Sequence, residues 1–149
     1  MEAVLFCGVQ ASGKSTFYRQ RFAPTHAHIS LDVLKTRKRE ALALRACLEA
    51  GMPFVVDNTN PQSSTRLMYI SAAKTFGFRV VGFYFRSNLQ DALTRNNARQ
   101  GKECVPIQGV LGTYNSLQIP QMSEGFNALF YVQIEPDGAF SVHPWKDEL

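Results

Sequence analysis

Residues 8–15 have the spacing of a phosphate-binding loop. They read Gly-Val-Gln-Ala-Ser-Gly-Lys-Ser and match the pattern G-x-x-x-x-G-K-[ST] at every fixed position. Glycines at both ends let the backbone wrap so closely that successive N–H groups point at phosphate oxygens. Lys14 can then reach the β- and γ-phosphates of a nucleoside triphosphate, and the Ser15 hydroxyl can ligate Mg²⁺. We expect ATP to contact Gly8, Gln10, Ala11, Ser12, Gly13, Lys14, Ser15 and Thr16.

A carboxylate follows the apolar run 54–56. Asp57 lies at the end of this run, where a parallel strand would bring it beside the phosphate loop. It can hold Mg²⁺ directly or through water. The alternative is that Asp57 or Asn60 caps the next helix, because Pro61 is typical of a first helical position. We favour the metal site for Asp57 and the helix cap for Asn60.

Asp32 begins the longest helical pattern and is a candidate general base. It could accept the proton of an acceptor hydroxyl, although an aspartate in a first helical turn is often only a partner of the helix dipole. Basic residues follow it, and the spacing of Lys35 and Arg39 predicts that they share a helix face. With Arg37 and Lys38 they could receive the phosphates of an acceptor strand, or they could form an ordinary solvated face.

Two arginines in a later helical pattern could act on the transferred phosphoryl group. Arg95 and Arg99 are four residues apart and project from one face of a predicted helix, with Lys102 in the loop that follows. Arginines on a segment that closes over bound nucleotide can neutralise phosphoryl charge. The alternative is an ordinary surface pair between Arg95 and Asp91.

The elements that must position these side chains alternate along the chain. Apolar runs and turn residues predict strands at 3–7, 54–56, 79–85, 130–134 and 140–142, and helices at 14–22, 31–49, 61–76, 89–100 and 107–117. This order predicts an α/β fold of the P-loop NTPase type, a parallel sheet with helices on both faces. The last two strands would form a C-terminal hairpin around residues 136–138.

Composition limits the remaining possibilities. With 149 residues, 45% hydrophobic and 19% charged, the chain is predicted to be one globular domain, 1–149. A net charge of +4 permits an anionic partner. Three unpaired cysteines and the absence of a signal peptide or a long apolar stretch predict a cytoplasmic protein with no membrane contact. Residues 146–149 spell an endoplasmic-reticulum retention signal, which we interpret as coincidental.

Several other polar and aromatic residues are not predicted to do chemistry. His26, His28 and His143 are scattered without an acidic or cysteine partner at ligand spacing, so we expect surface or loop positions. The aromatic residues 83–85 lie in a strand pattern typical of a core. No Asp-x-Asp sequence occurs, which excludes an aspartate-based phosphatase site of that kind.

Five blocks of the chain resemble, in order and spacing, the kinase domain of the polynucleotide kinase/phosphatase family. They are 8–16, Ser30-Leu31-Asp32, 55–61, 95–107 and 123–126. The resemblance extends over almost the whole chain, and the blocks 57–61 and 95–106 are more specific than the phosphate loop alone. It implies transfer of the γ-phosphate of ATP to the 5′-hydroxyl of DNA or RNA, with Mg²⁺.

The resemblance also implies roles for single residues. Asp32 matches the general base, Asp57 the acidic residue after the second strand, and Lys35 lies near a contact to acceptor phosphate. The matched phosphate, metal and lid residues are Lys14, Ser15, Arg95 and Arg99. The family commonly has Asn-Arg-Asp where this chain has Ser30-Leu31-Asp32, and its phosphatase half has no match in the sequence. A kinase of a small-molecule or nucleoside-type acceptor and a nucleotide-dependent switch module therefore remain alternatives.

Overall fold

The computed structural model describes residues 1–86, 88–101 and 104–146. Its strands are β1 (Glu2–Cys7), β2 (Ala27–Ile29), β3 (Phe54–Val56), β4 (Arg79–Phe85), β5 (Ala128–Ile134) and β6 (Phe140–Pro144). Its helices are α1 (Lys14–Arg21), α2 (Leu31–Leu34), α3 (Arg37–Ala50), α4 (Ser63–Thr75), α5 (Leu89–Asn97) and α6 (Ile107–Ser116), with a 3₁₀ turn at Met122–Glu124. Lys102 and the last three residues of the 146–149 signal lie outside the described residues.

The strands form one sheet in the order β2-β3-β1-β4-β5-β6. The first five strands in this order are parallel, and β6 pairs antiparallel with β5, with Ile134 opposite Phe140. The predicted α/β fold and C-terminal hairpin are confirmed. Because all parallel strands point the same way, their carboxyl ends form one edge of the sheet, and the loops at that edge carry the polar residues described below.

Side chains of the central strand β1 alternate between the two faces of the sheet. Ala3 and Leu5 pack with residues of α3 and α4, whereas Val4 and Phe6 pack with residues of α1. Helices therefore cover both faces, as predicted. Burying apolar area on both faces explains why the central strands are continuous apolar runs.

The predicted helix 31–49 is wrong as a single element, because the chain breaks at Lys35. Lys35 has a positive φ of 75°, and Thr36 caps the next helix by accepting a hydrogen bond from Arg39 N at 3.1 Å. The four residues of α2 are therefore separate from α3, and none of them is buried. Lys35 and Arg39 lie on opposite sides of the break, so their predicted common helix face is also wrong.

The predicted helix cap at Asn60 is wrong. Helix α4 begins at Ser63, with Gln62 at the N-cap. Asn60 has a φ of 43° and is buried, and its Nδ2 donates to Phe6 O at 2.8 Å. Its side chain therefore closes the loop after β3 onto β1 instead of capping a helix.

A buried ion pair joins α4 to the 3₁₀ turn. Arg66 is 0% exposed, and its Nε and Nη2 donate to the two carboxylate oxygens of Glu124 at 2.8 and 3.0 Å. Its Nη1 also donates to Asn60 O at 2.9 Å. A bidentate pair of this kind fixes orientation as well as distance. It connects the loop after β3 to the chain that enters β5.

Two of the three thiols are buried, Cys104 is partly exposed, and the aromatic strand residues pack in the core as the sequence predicts. Cys7 and Cys47 are buried, and burial raises the pKa of the Cys7 thiol to about 11. Tyr84 and Phe85 are buried in the core, and Phe83 packs at its edge. Among the described helices, none has the length and apolar character needed to cross a bilayer.

Candidate active site

The phosphate loop connects β1 to α1, which is the context that the motif requires. Gly13 precedes α1 with a φ of 95°, in the left-handed region that favours glycine. A Cβ at Gly8 would lie 2.9 Å from Phe85 Cβ, so only glycine fits against β4. Gly8 N donates to Thr59 O at 3.0 Å, which holds the loop against the chain that follows β3.

Lys14 is buried beneath this loop. Its Nζ donates to Val9 O at 2.7 Å, to Gly8 O at 3.1 Å and to Ser12 Oγ at 3.3 Å. Burial lowers the pKa of Lys14 from its ordinary 10.5 to about 8, while the nearby Asp57 carboxylate opposes this change. The Lys14 ammonium has lost its hydration and donates to neutral oxygens of the loop. The negatively charged oxygens of a phosphate would compensate this charge, so the loop is suited to an anionic ligand.

Ser15 and Asp57 meet as the sequence predicts. Ser15 Oγ donates to Asp57 Oδ2 at 2.8 Å across 42 residues of sequence. The Asp57 carboxylate is almost fully buried, with 2% of its side chain exposed. A hydroxyl and a carboxylate beside a phosphate loop are oxygen donors of the kind that Mg²⁺ prefers. The donor set therefore fits a magnesium ion that also contacts the phosphates of a nucleotide.

His28 also contacts Asp57, so its predicted surface position without an acidic partner is wrong. Its Nε2 lies 2.7 Å from Asp57 Oδ2, and its ring stacks on Tyr18 at 4.0 Å between centroids. The Tyr18 hydroxyl donates to His26 O at 2.6 Å, and this bond holds the Tyr18 ring in place against His28. Strand β2 was not predicted, and without it no sequence pattern pairs residue 28 with residue 57.

The other two histidines have partners as well. His26 Nε2 lies 2.8 Å from Glu2 Oε2, and the exposed fraction of its side chain is 11%. His26 therefore also has an acidic partner, contrary to prediction. His143 stacks on Tyr131 at 4.8 Å, and its Nε2 lies 3.0 Å from Ser141 Oγ. The contacts of His26 with Glu2 and of His143 with Tyr131 depend on the order and pairing of the strands, which the sequence spacing of the histidines does not reveal.

Asp32 lies on α2 with its side chain exposed, at the same edge of the sheet. The position of α2 is set by Asn58, whose Oδ1 accepts from Leu31 N at 2.9 Å. Asn58 Nδ2 in turn donates to Glu40 Oε2 at 2.8 Å. The Asp32 charge is among those that raise the pKa of Lys14. The sequence analysis singled out neither Asn58 nor Glu40.

Glu40 is a buried carboxylate with several donors. It accepts a short hydrogen bond from the Tyr69 hydroxyl, and Arg37 Nη1 lies 3.2 Å from its Oε1. Burial, together with the hydrogen bond to Glu40, raises the pKa of Tyr69 above its ordinary value. Arg37 is therefore committed to this network, whereas Lys38 and Arg39 are exposed on α3. Lys35 is also exposed, and its Nζ donates to Asp32 O at 2.6 Å.

Arg95 and Arg99 line a cleft of about 280 Å³ beside the phosphate loop. Helix α5 ends at Asn97, so Arg99 follows the helix instead of lying on it. Arg99 nevertheless acts on Lys14, since its charge lowers the pKa of that side chain. Asp91 exchanges hydrogen bonds with Asn88, so within the described residues it does not form the alternative pair with Arg95. The other residues lining the cleft are Ala11, Gly13, Thr16, Ile134, Gly138 and Phe140.

Gln10 fastens the phosphate loop to α6. Its Nε2 donates to Thr113 Oγ1 at 2.9 Å. The buried Gln10 Oε1 has no hydrogen-bond partner among the described residues. The Gln10 side chain therefore links the phosphate loop to α6 through its amide nitrogen.

Comparison with known proteins agrees with this arrangement. A family model described as an AAA domain, AAA_33, matches residues 4–118, well over half of the chain. The chain belongs to the AAA_33 family. The matched range contains the phosphate loop, Asp32, Asp57, Arg95 and Arg99.

Relatives of this AAA_33 domain include two longer proteins. A bifunctional polynucleotide phosphatase/kinase of Schizosaccharomyces pombe is 27% identical over 129 residues, which are 84% of this chain and 32% of that protein. A putative bifunctional polynucleotide phosphatase/kinase of Acanthamoeba polyphaga mimivirus is 34% identical over 97% of this chain and 36% of its own length. The chain thus spans about a third of the length of these curated relatives.

Solved structures share the fold at low identity. Kti12 of Chaetomium thermophilum, crystallised with ADP-AlF3, superposes with a TM-score of 0.70 at 16% identity, covering 91% of this chain and 92% of that one. A gluconokinase of Sinorhizobium meliloti superposes with a TM-score of 0.63 at 20% identity, covering 91% and 84%. The AAA_33 domain therefore has a P-loop kinase fold.

Proposed function

We propose that this AAA_33 domain transfers the γ-phosphate of ATP to the 5′-hydroxyl of a polynucleotide. The observation that carries the proposal is the geometry around the phosphate loop, where Ser15 Oγ donates to Asp57 Oδ2 at 2.8 Å and Arg95 and Arg99 line the adjacent cleft. Asp32 lies exposed on α2 at the same edge of the sheet, and its charge is among those that raise the pKa of Lys14. A kinase needs a phosphate cradle, a charge clamp and a base at one place, and these residue types supply all three.

The donor nucleotide would lie along the phosphate loop. Backbone N–H groups of residues 8–15 and the Lys14 ammonium would bind the β- and γ-phosphates. Arg99 and Arg95 would neutralise charge on the outer phosphate from the opposite side. The adenine ring of the nucleotide would enter the cleft of about 280 Å³ between Thr16 and the hairpin residue Phe140.

Ser15 and Asp57 would hold Mg²⁺ in this site. The described residues contain no cluster of three or more histidine, cysteine, aspartate or glutamate side chains, so the protein itself offers few ligands. This suits an ion that takes most of its oxygens from phosphates and water. When bound, it supplies neutralisation of the phosphate charge. His28 would keep the Asp57 carboxylate in a fixed orientation, because Oδ2 receives both the Ser15 hydroxyl and the imidazole.

Asp32 would act as the general base. The acceptor hydroxyl gives its proton to the Asp32 carboxylate while its oxygen forms a bond to the γ-phosphorus, and the bond to the leaving ADP oxygen breaks in line. Lys14 and Arg99 stabilise the charge that collects on the transferred group and on ADP. Because Asp32 is exposed and α2 has no buried residue, a bulky acceptor can approach it.

A polynucleotide acceptor is supported by the surface around Asp32 and by the names of two relatives. Exposed basic residues follow the proposed general base Asp32 in the sequence, among them Lys35, Lys38 and Arg39. The chain carries a net charge of +4. Such a surface suits a phosphate backbone. Both curated relatives are named as polynucleotide phosphatase/kinases.

A small-molecule acceptor is the second candidate, and Leu31 favours it. An aliphatic side chain stands beside Asp32 where the resembled family has a basic one, which removes one contact for an acceptor phosphate. The gluconokinase with the same fold shows that this architecture also occurs in an enzyme named for a sugar acid.

The test is incubation with γ-labelled ATP and a 5′-hydroxyl oligonucleotide. We expect label on the oligonucleotide, none on an otherwise identical 5′-phosphorylated strand, and a steep loss of acceptor binding as salt rises. Asp32→Asn should lower transfer by about 10²- to 10⁴-fold and leave binding of an ATP analogue unchanged. Glu49→Gln, an exposed carboxylate at the far end of α3, is the matched control and should retain full transfer.

Other outcomes of the same assay separate the alternatives. Label on gluconate or another small hydroxyl compound, with none on oligonucleotides, would support the small-molecule kinase. ATP binding without transfer to any acceptor, insensitive to Asp32→Asn, would support a nucleotide-dependent switch module. Unchanged transfer in the Asp32→Asn variant would remove Asp32 from the mechanism.

A further inference from the structure

A second cleft, which the proposed reaction does not use, lies at the carboxyl ends of β4 and β5. Its volume is about 580 Å³, and α5 and α6 form its sides. Arg95 and Ile134 line both this cleft and the smaller one beside the phosphate loop, so the two are neighbours that share a wall. We call it the β4–β5 cleft. The residues that decide its chemistry are Tyr84, Arg86, Arg95, Tyr114 and Gln133.

The β4–β5 cleft carries excess positive charge. Arg86 and Arg95 both line it, and neither forms an ion pair with a carboxylate within the described residues. Asp91 is the acidic lining residue, and its Oδ2 already accepts a hydrogen bond from Asn88 Nδ2 at 2.8 Å. Two guanidinium groups that face one cavity without a carboxylate partner favour an anionic occupant, and guanidinium groups match phosphate oxygens in geometry.

Arg95 shows that, among the described residues, a hydrogen-bond acceptor is missing in the wall between the two clefts. Its Nη1 atom is buried and has no hydrogen-bond partner in the part of the chain that the structure describes. Buried donors are almost always satisfied in folded proteins, and an exception requires an explanation such as a missing ligand. The donor nucleotide and an occupant of the β4–β5 cleft could each approach this side chain, because it lies in the wall between them.

The remaining lining residues suit a planar ring. Tyr84 and Tyr114 provide aromatic surface, Ile134 provides apolar surface, and Gln133 provides an amide that can donate to and accept from a base edge. A volume of about 580 Å³ lies within the range of small-ligand sites and accommodates one nucleotide. Phosphate-binding arginines and stacking rings in one cavity of this size are the recognition elements of a mononucleotide.

We infer that the β4–β5 cleft binds a nucleoside monophosphate, with its phosphate on Arg86 and its base against the tyrosine rings. This site is separate from the donor site, so a molecule bound here is neither ATP in the phosphate loop nor the acceptor at Asp32. Arg95 couples the two sites. Occupancy of one therefore changes affinity at the other, and the effect is reciprocal.

The single tryptophan gives a direct signal for this site. Trp145 packs edge-on against Tyr84, with ring centroids 6.0 Å apart. A base that stacks on Tyr84 changes the surroundings of this indole. The experiment saturates the full chain with a non-hydrolysable ATP analogue and Mg²⁺, then titrates AMP while Trp145 fluorescence and the amount of labelled AMP retained in equilibrium dialysis are recorded.

We expect one further equivalent of AMP to bind while the donor site is filled, with a saturable change in fluorescence. Arg86→Ala should weaken this binding at least tenfold and leave analogue binding and the unfolding midpoint unchanged, since Arg86 is exposed and outside the proposed donor and acceptor machinery. Arg79→Ala is the matched control, because Arg79 is an exposed arginine at the opposite end of the same strand. It should bind AMP as the native chain does.

Three results would overturn the inference. The first is that AMP no longer binds once the analogue saturates the donor site. The second is equal AMP affinity in the native chain and in Arg86→Ala, or an equal loss in Arg79→Ala. The third is binding of inorganic phosphate or of an oligonucleotide in place of AMP with the same dependence on Arg86, which would assign a different ligand. The measurement requires no phosphoryl transfer, so it is independent of the outcome of the kinase assay.

Discussion

Lys14 carries a charge that folding buries, and this makes the pH dependence of stability a test of the phosphate loop. Burial lowers the pKa of Lys14 from 10.5 to about 8 in the folded protein. Between about pH 8 and pH 10.5 the unfolded chain therefore binds more protons at this residue than the folded chain does, so the free energy of unfolding rises with pH. Lys14→Met lacks this contribution.

The expected magnitude follows from the two pKa values. A tenfold change in proton affinity corresponds to about 1.4 kcal/mol, so the full effect of burying the ammonium is about 3 kcal/mol at pH 7. At pH 10 most of this unfavourable contribution has disappeared. The difference in unfolding free energy between the native chain and Lys14→Met should therefore change by about 2–3 kcal/mol in favour of the native chain between pH 7 and pH 10.

Urea unfolding at several pH values measures this difference directly. Using differences between proteins cancels the effects of titrating groups that do not interact with Lys14. Lys38→Met, which removes an exposed lysine, is the control and should follow the native curve. A saturating ATP analogue should flatten the pH dependence of the native chain, because phosphate restores a partner to the ammonium. Parallel curves for Lys14→Met and the native chain would refute the reasoning.

Two further perturbations follow from buried contacts. His28→Asn should weaken the binding of Mn²⁺ to the complex of the protein with the ATP analogue by about 10- to 100-fold, because the partner that orients Asp57 is lost. Electron paramagnetic resonance of the ion measures this affinity without turnover. An unchanged affinity would show that Ser15 alone orients Asp57. Arg66→Met should lower the free energy of unfolding by about 3–5 kcal/mol, because the largely buried Glu124 carboxylate would lose its bidentate guanidinium partner and keep only the hydrogen bond from Gln121 N. Adding Glu124→Gln should recover part of that loss in urea unfolding, and a double variant no more stable than Arg66→Met would contradict this explanation.

The fold was predictable wherever burial produced continuous apolar runs. Strands β3 and β4 have the predicted bounds, because both lie between neighbours in the sheet and are covered on both faces. Strand β2 was not predicted, because it is a three-residue edge strand with a histidine at its centre. Local hydrophobicity carries little information on such a strand, and its position depends on pairing with β3.

The residues of the candidate site could likewise be predicted only where a local sequence pattern marks them. Lys14 and Ser15 were found because the phosphate loop is contiguous in sequence. His28 was missed, because its contact with Asp57 joins residues 29 positions apart and depends on the unpredicted strand. The break after Leu34 was missed because the apolar spacing continues through it, while a positive φ at Lys35 is a property of the folded backbone. Asn58 gave no signal, since an amide that supports a distant helix belongs to no local pattern.

The separation of α2 from α3 makes the chain modular for engineering. The segment from Ser30 to Thr36 is anchored by the bond from Leu31 N to Asn58 and by Leu34, which packs against the core on the α3 and α4 side of the sheet, while none of the α2 residues is fully buried. Because the proposed general base Asp32 lies within this segment, any sequence grafted between β2 and α3 would have to keep an aspartate at that position. Variation at the exposed positions around it would then alter the surface offered to an acceptor while the phosphate loop stays unchanged.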